Sequence, residues 1–142
     1  MKKLLLPIDG SPSAQHALEF SIELSKAIPG LSVHLVTAQQ PPELYGEVAV
    51  YVTKEKIVEF QTHHAEEVLK PAKSQLTAAG VPCTVAVVFG DVADSIVRQA
   101  QSEQCDTIVM GTRGMGAIGN LVMGSVATKV VHLAPMPVIL VK

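Results

Sequence analysis

A chain of 142 residues, 48% hydrophobic and only 17% charged, has room for one domain with a proper core, which excludes a disordered or tail-like protein. Its formal net charge of −2 gives no electrostatic reason to expect nucleic acid or an acidic membrane surface as partner. With 4% aromatics and no Trp, the core must be built from Val, Ile, Leu and Ala, a palette suited to parallel strands covered by helices on both faces.

In chain order, Lys3 to Ile8 reads as a buried strand ended by Asp9-Gly10. The opening Met-Lys-Lys-Leu-Leu-Leu-Pro imitates a signal peptide, but its apolar run meets Asp9 too soon for an h-region. No stretch approaches a membrane span, so a soluble cytoplasmic protein is expected. Ser11 or Ser13 can cap a helix that Pro12 opens; Ala14, Ala17, Leu18, Ser21, Leu24 and Ile28 recur at helical spacing, and Pro29-Gly30 stops it. Leu31 to Ala38 is the second strand. Gln39 to Val52, with Pro41-Pro42 and Gly46, is long and irregular for an internal connection. It reads as a loop that either closes over a ligand or lies on a partner. A long helix follows from about Thr53 to Ala79, closed by Gly80 and Pro82, with Pro71 expected to kink or interrupt it.

Thr84 to Phe89 is the third strand, and Gly90-Asp91 gives a turn and an N-cap for a helix bearing Ala93, Ile96, Val97 and Ala100. Thr107 to Met110 is the fourth strand. A glycine-rich loop follows, then a helix capped by Ser125 and running to about Leu133, then a fifth strand from Pro137 to Val141. The β-α alternation predicts a single domain over 1–142: one open, largely parallel five-stranded sheet with helices on both sides. Such sheets bind ligands beyond the carboxyl ends of their strands, where the strand order reverses. Strand one ends there in Pro7-Ile8-Asp9-Gly10 and strand four in Met110-Gly111. Whether the two are neighbours is not legible from the order alone.

Two familiar phosphate motifs fail in the glycine-rich region. Gly114-Met-Gly116-Ala-Ile-Gly119 spells G-x-G-x-x-G, but the dinucleotide fingerprint needs a helix opening within it and an acid about 20 residues on. Here the helix begins near Ser125 and no Asp or Glu follows Asp106. The P-loop fails because Ser125-Val126, not Lys-Ser/Thr, follows Gly124. What remains is Gly111 and Gly114 leaving strand four, nine residues, then Gly124-Ser125 at a helix N-terminus. Backbone N–H groups there suit a phosphate, and the helix dipole and a hydroxyl add to them. The acid-free segment after Asp106 carries Arg113, Lys129 and Lys142, hence +3 against −5 for the rest. Arg113 can pair with phosphate or be solvated. Asp9 can accept from ribose hydroxyls or the adenine amino group, or serve as a turn residue before the first helix.

With these residues in view, the chain resembles the universal stress proteins over its whole length, from Leu-Pro-Ile-Asp9-Gly-Ser through Gly-Asp91 to Met-Pro-Val-Ile-Leu-Val. Its most specific element is G-x2-G-x9-G-[S/T], the signature of the ATP-binding branch, present as Gly111, Gly114, Gly124 and Ser125. The resemblance implies a Rossmann-like sheet ordered 3-2-1-4-5 that binds ATP or its relatives ADP and AMP, with any Mg²⁺ carried by the phosphates. It implies that Asp9, beside Pro7 and Ile8, contacts adenosine, that Thr37 lies near adenine, and that Met110, Gly111, Arg113, Gly114, Gly124, Ser125 and Val126 surround ribose and phosphates. It also implies a homodimer through the last strand, Met136 to Val141, whose apolar edge would otherwise be a liability.

No motif here supplies the concentrated charge and metal-holding carboxylates of a phosphoryl-transfer enzyme. The favoured function is therefore a nucleotide-binding stress or signalling module. The alternatives are a slow ATPase or a protein that phosphorylates itself on Ser125 or Thr128, and a dimeric interaction module whose pocket takes AMP or cyclic AMP. His63-His64 diverge by about 100° on a helix, and His16, His34 and His132 lack ligand spacing, so no metal site is expected. Cys83 and Cys105 read as small apolar residues in a reducing compartment.

Overall fold

A computed structural model of the chain describes residues 1–41, 53–114 and 123–142. The elements are β1 (Lys3–Pro7), α1 (Pro12–Ala27), β2 (Ser32–Gln39), α2 (Lys54–Ala78), β3 (Cys83–Phe89), α3 (Val92–Ser102), β4 (Thr107–Gly111), α4 (Ser125–Leu133) and β5 (Val138–Val141). The five strands form one sheet in the order β3-β2-β1-β4-β5, every neighbouring pair parallel. This is the open α/β sheet expected from the alternation, in the order implied by the resemblance.

The sheet has a core on each face, and β1 divides its side chains between them. Leu4, Leu6 and Ile8 join Leu35 and the apolar sides of α1 and α2. Leu5 joins Val36, Ile108 and Met110 beneath α3 and α4. A central parallel strand is buried on both sides, so three consecutive leucines, all at 0% exposure, suit it where an alternating pattern would not. Each such leucine contributes about 1.5–3 kcal/mol of burial.

Local signals set most boundaries. Ser11 caps α1 by accepting the Ala14 N–H at 3.1 Å, with Pro12 in the first turn. Thr53 caps α2 through the Lys56 N–H at 3.2 Å. That helix closes on a Schellman turn at Gly80 (φ +72°), where the Val81 N–H reaches the Leu76 carbonyl at 2.9 Å.

Two expectations are corrected. Pro71 does not interrupt α2, which runs through it without a break. Pro71 lies on the exposed side of the helix, between the buried Leu69 and Ala72. The carbonyl it deprives of a partner, on Glu67, is on an exposed residue within reach of water, while Leu69, Ala72 and Leu76 keep the helix on the sheet. Ser125 is not the cap of α4 either. Gly124 is the N-cap, in extended conformation, and Ser125 is the first helical residue. The Gln39–Val52 loop beyond residue 41 and the internal G-x-G-x-x-G beyond Gly114 lie outside the described residues.

Candidate functional site

The strand order reverses between β1 and β4: the chain goes from β1 to β2 on one side and reaches β4 on the other. Beyond the carboxyl ends of these strands lies a cleft of about 340 Å³, within the range of about 300–1,000 Å³ usual for small-molecule sites. The termini of three helices meet it: α1 at Ser11 and Ala14, α3 at Val92 and Ile96, α4 at Gly124 and Ser125. A helix N-terminus carries the positive end of the helix dipole, and α4 brings its first residues, Gly124 and Ser125, to the cleft.

Of the sequence candidates, Pro7, Ile8 and Asp9 line the cleft from the end of β1. Met110, Gly111, Arg113 and Gly114 line it from β4 and the turn after it, and Gly124, Ser125 and Val126 from the start of α4. Thr37 does not line it. Its side chain is 4% exposed, and its hydroxyl donates to the Ile8 carbonyl at 2.8 Å. The next residue, Ala38, faces the cleft instead. Alternation along a strand explains the exchange, because neighbouring residues of β2 point to opposite faces of the sheet.

The glycines hold their places for different reasons. A Cβ at Gly111 would lie 2.7 Å from the Ser13 carbonyl carbon and 2.8 Å from its oxygen. Gly111 therefore serves first to let α1 approach β4, a packing role the phosphate argument did not anticipate. A Cβ at Gly114 would sit 3.0 Å from Asp9 Oδ2, so this glycine leaves room for the carboxylate. At Gly124 the nearest chain atom would be the Thr112 carbonyl oxygen at an ordinary 3.5 Å, and φ is −78°. Among the described residues, neither packing nor backbone geometry demands glycine at 124.

Hydrogen bonds fasten this rim. The Ser11 N–H donates to Asp9 Oδ1 at 2.9 Å, so one carboxylate oxygen fills the turn role and the other faces Gly114. The Arg113 N–H donates to the Ser13 hydroxyl at 3.3 Å, tying the turn after β4 to α1. The Gly124 N–H donates to the Thr112 carbonyl at 2.6 Å, joining the two ends of the glycine-rich loop. Outside the cleft, Lys129 Nζ meets Asp91 Oδ1 at 2.9 Å and links α4 to the N-cap of α3. The Asp94 backbone N–H, followed by Lys129, holds the Asp91 carboxyl below the usual carboxylate range.

The cleft offers an apolar wall (Ala38, Val92, Ile96, Met110, Val126), the Asp9 carboxylate, and first turns of helices together with an arginine. A flat heterocycle, a polyhydroxylated ring and an anion are the three chemistries that match these parts in that order. Ser125 lines the cleft, whereas Thr128 turns its hydroxyl back to the Gly124 carbonyl at 2.9 Å and does not. The sequence candidates omitted Ser11, Ala14, Ala38, Val92, Ile96, Thr112 and Ala127, which also line the cleft. The predicted start of α3 after Asp91 was the available signal for Val92 and Ile96. Among the described residues no group of three or more His, Cys, Asp or Glu could hold a metal, and no helix is long and apolar enough to cross a membrane.

Comparison with known proteins accords with this geometry. The model of the universal stress protein family matches residues 1–142. A universal stress protein of Thermus aquaticus, named for the QAH/OAS sulfhydrylase 3′ region, is 37% identical over 143 residues, covering 99% of this chain and 98% of that one. Among solved structures, hypothetical protein MJ0577 superposes with a TM-score of 0.86 at 27% identity, covering 99% of this chain and 95% of that one. A universal stress protein from Archaeoglobus fulgidus in complex with dAMP superposes with a TM-score of 0.69 at 26% identity, covering 100% and 98%.

Proposed function

Because the chain belongs to the universal stress protein family, we propose that the cleft between β1 and β4 binds an adenine nucleotide, and that ATP is the ligand it suits best. One observation carries the proposal: residues on separate stretches of the chain, Asp9, Gly111 to Gly114, and Gly124-Ser125, meet around one cleft that first-turn residues of three helices also line. The dAMP complex of the Archaeoglobus fulgidus relative supports the choice of adenine.

In this arrangement the base lies against Ala38, Val92, Ile96 and Val126, and Asp9 accepts from ribose hydroxyls. The phosphates take the Ser125 amide, the Ser125 hydroxyl and the Arg113 guanidinium, the Gly124 N–H being engaged by the Thr112 carbonyl. A backbone amide, a hydroxyl and one arginine cradle a triphosphate without a protein-held metal, so Mg²⁺ comes with the nucleotide through its phosphate oxygens. The cellular role is that of a stress-response or signalling module in the cytoplasm whose conformation or stability responds to occupancy. The module is a homodimer through Met136 to Val141. That stretch includes β5, an edge strand of the sheet, with the exposed apolar residues Val131 and Leu133 just before it.

Titration calorimetry with ATP, ADP, AMP and cyclic AMP tests the ligand directly. Binding of ATP with loss of affinity as phosphates are removed is the expected result. Failure of all four would end the nucleotide proposal, and a preference for cyclic AMP or AMP would reassign the ligand. Light scattering at micromolar concentration tests the dimer, which a monomer mass would exclude.

A further inference from the structure

We propose that Thr37 is a positioning residue for this cleft: acting from the far face of the sheet, its hydroxyl fixes the end of β1 and so sets the Asp9 carboxylate for ribose. This rests on the nucleotide-binding function proposed above.

The argument begins where β1 leaves the sheet. The register with β2 runs to Pro7 opposite Val36, and the Ile8 N–H still reaches the Val36 carbonyl at 2.8 Å. The chain then turns through Asp9 and Gly10, at φ +82°, into α1. The Ile8 carbonyl at this departure is on a buried residue, and a buried carbonyl needs a donor. Thr37 supplies it at 2.8 Å from a side chain 4% exposed.

That carbonyl shares a rigid peptide plane with the Asp9 nitrogen, so holding the oxygen orients the backbone from which the carboxylate projects. Downstream the tolerance is small. Asp9 Oδ1 takes the Ser11 N–H at 2.9 Å, and a Cβ on Gly114 would stand only 3.0 Å from Oδ2. Thr37 lies on the face of β2 that carries Val33 and Leu35, both buried in the core beneath α1 and α2. A valine of the same shape would fill that place equally well, so the hydroxyl's distinctive contribution is the bond to Ile8.

The test pairs Thr37→Val, which keeps the shape and removes the donor, with Thr37→Ser, which restores the donor. Affinities for ATP and 2′-deoxy-ATP are measured by calorimetry, and Ser11 amide exchange is followed by NMR without nucleotide. Thr37→Val is expected to weaken ATP binding about tenfold and 2′-deoxy-ATP much less, collapsing the preference for ribose. The Ser11 amide should lose protection relative to the core amides, and Thr37→Ser should recover both within about threefold. An unchanged ribose preference with an unchanged Ser11 amide overturns the proposal. Equal losses for both nucleotides, in step with global stability, overturn it in favour of simple packing. If the wild-type chain binds neither nucleotide, the binding function fails, and the Ser11 amide still decides whether Thr37 clamps Asp9.

Discussion

The two ends of the sheet use similar polar groups to opposite effect. At the amino end they are joined to one another. Lys3 Nζ pairs with Glu103 Oε2 at 2.9 Å, and the Asp106 carboxylate accepts the Lys2 N–H at 2.7 Å. His34, 3% exposed, lies between Gln99 and Thr84. Its Nε2 lies 2.9 Å from the Gln99 side-chain nitrogen and its Nδ1 2.6 Å from Thr84 Oγ1, so both ring nitrogens have a partner within the chain. At the carboxyl end, helix N-termini, an arginine and a carboxylate surround a cleft. At the amino end these bonds serve to hold the chain together, whereas at the carboxyl end bonded groups such as Asp9, which accepts the Ser11 N–H, also border a space that suits a ligand. The ends should therefore respond differently to substitution and to pH.

The largest expected effect tests whether the cleft end is purely for binding. Gly111→Val drives a side chain into the Ser13 backbone and should cost about 3 kcal/mol in urea unfolding, by overpacking. An unchanged midpoint would remove the packing role given to this glycine. Asp9→Ala should weaken ATP about 10- to 100-fold, the loss of a charged hydrogen-bond acceptor, with a smaller change in stability. Unaltered affinity would leave Asp9 as a turn residue only. Gly124→Ala sharpens the contrast with Gly111. The described residues leave room for this methyl group, so stability should change by less than about 1 kcal/mol. Phosphate approach would be hindered, and affinity should fall about tenfold. Ser125→Ala removes one hydroxyl donor and should cost about three- to tenfold in affinity, leaving the helix cap at Gly124 intact.

The last effect belongs to the amino end and vanishes at neutral pH. Burial pushes the His34 imidazole below its ordinary 6.5, outweighing the opposing pull of Glu103, while Lys3 adds to the depression. The unfolded chain therefore takes up the proton first as pH falls below about 6.5, and stability decreases from there toward the lower folded value. Above 6.5 the contribution is complete. Urea midpoints at pH 7.5 and pH 5 should differ for the wild type, and the difference should shrink in His34→Gln. An equal slope in both would move the acid sensitivity elsewhere.

Apart from the α4 cap, helix starts and stops were legible because they depend on near neighbours: Ser11, Thr53, Asp91 and Gly80 act within one turn. Strand order was not, since the pairing of β1 with β4 joins Leu4 to Thr107 and Leu5 to Ile108, and only the family resemblance indicated it. Of the kink or interruption expected at Pro71, the interruption fails because a rule about the isolated helix ignores the exposed carbonyl it leaves and the buried neighbours holding the turn. That Ala38 rather than Thr37 lines the cleft was not legible, because facing depends on which side of the sheet the cleft occupies. Gly111 was legible as important, but the α1 backbone that makes it so belongs to a distant part of the chain.

The distance between Asp9 and Gly124 along the chain has a consequence for synthesis. The cleft cannot exist until β4 has docked beside β1 and α4 has formed behind it, so a nascent chain that stops short of residue 124 has no complete place for the ligand. A nucleotide seated there would act as a non-covalent staple between the first and last parts of the polypeptide. Its occupancy would then register in whole-domain unfolding, worth about 2.7 kcal/mol at a hundredfold excess over Kd. Measured that way, the proposed ligand's concentration would set part of the domain's stability.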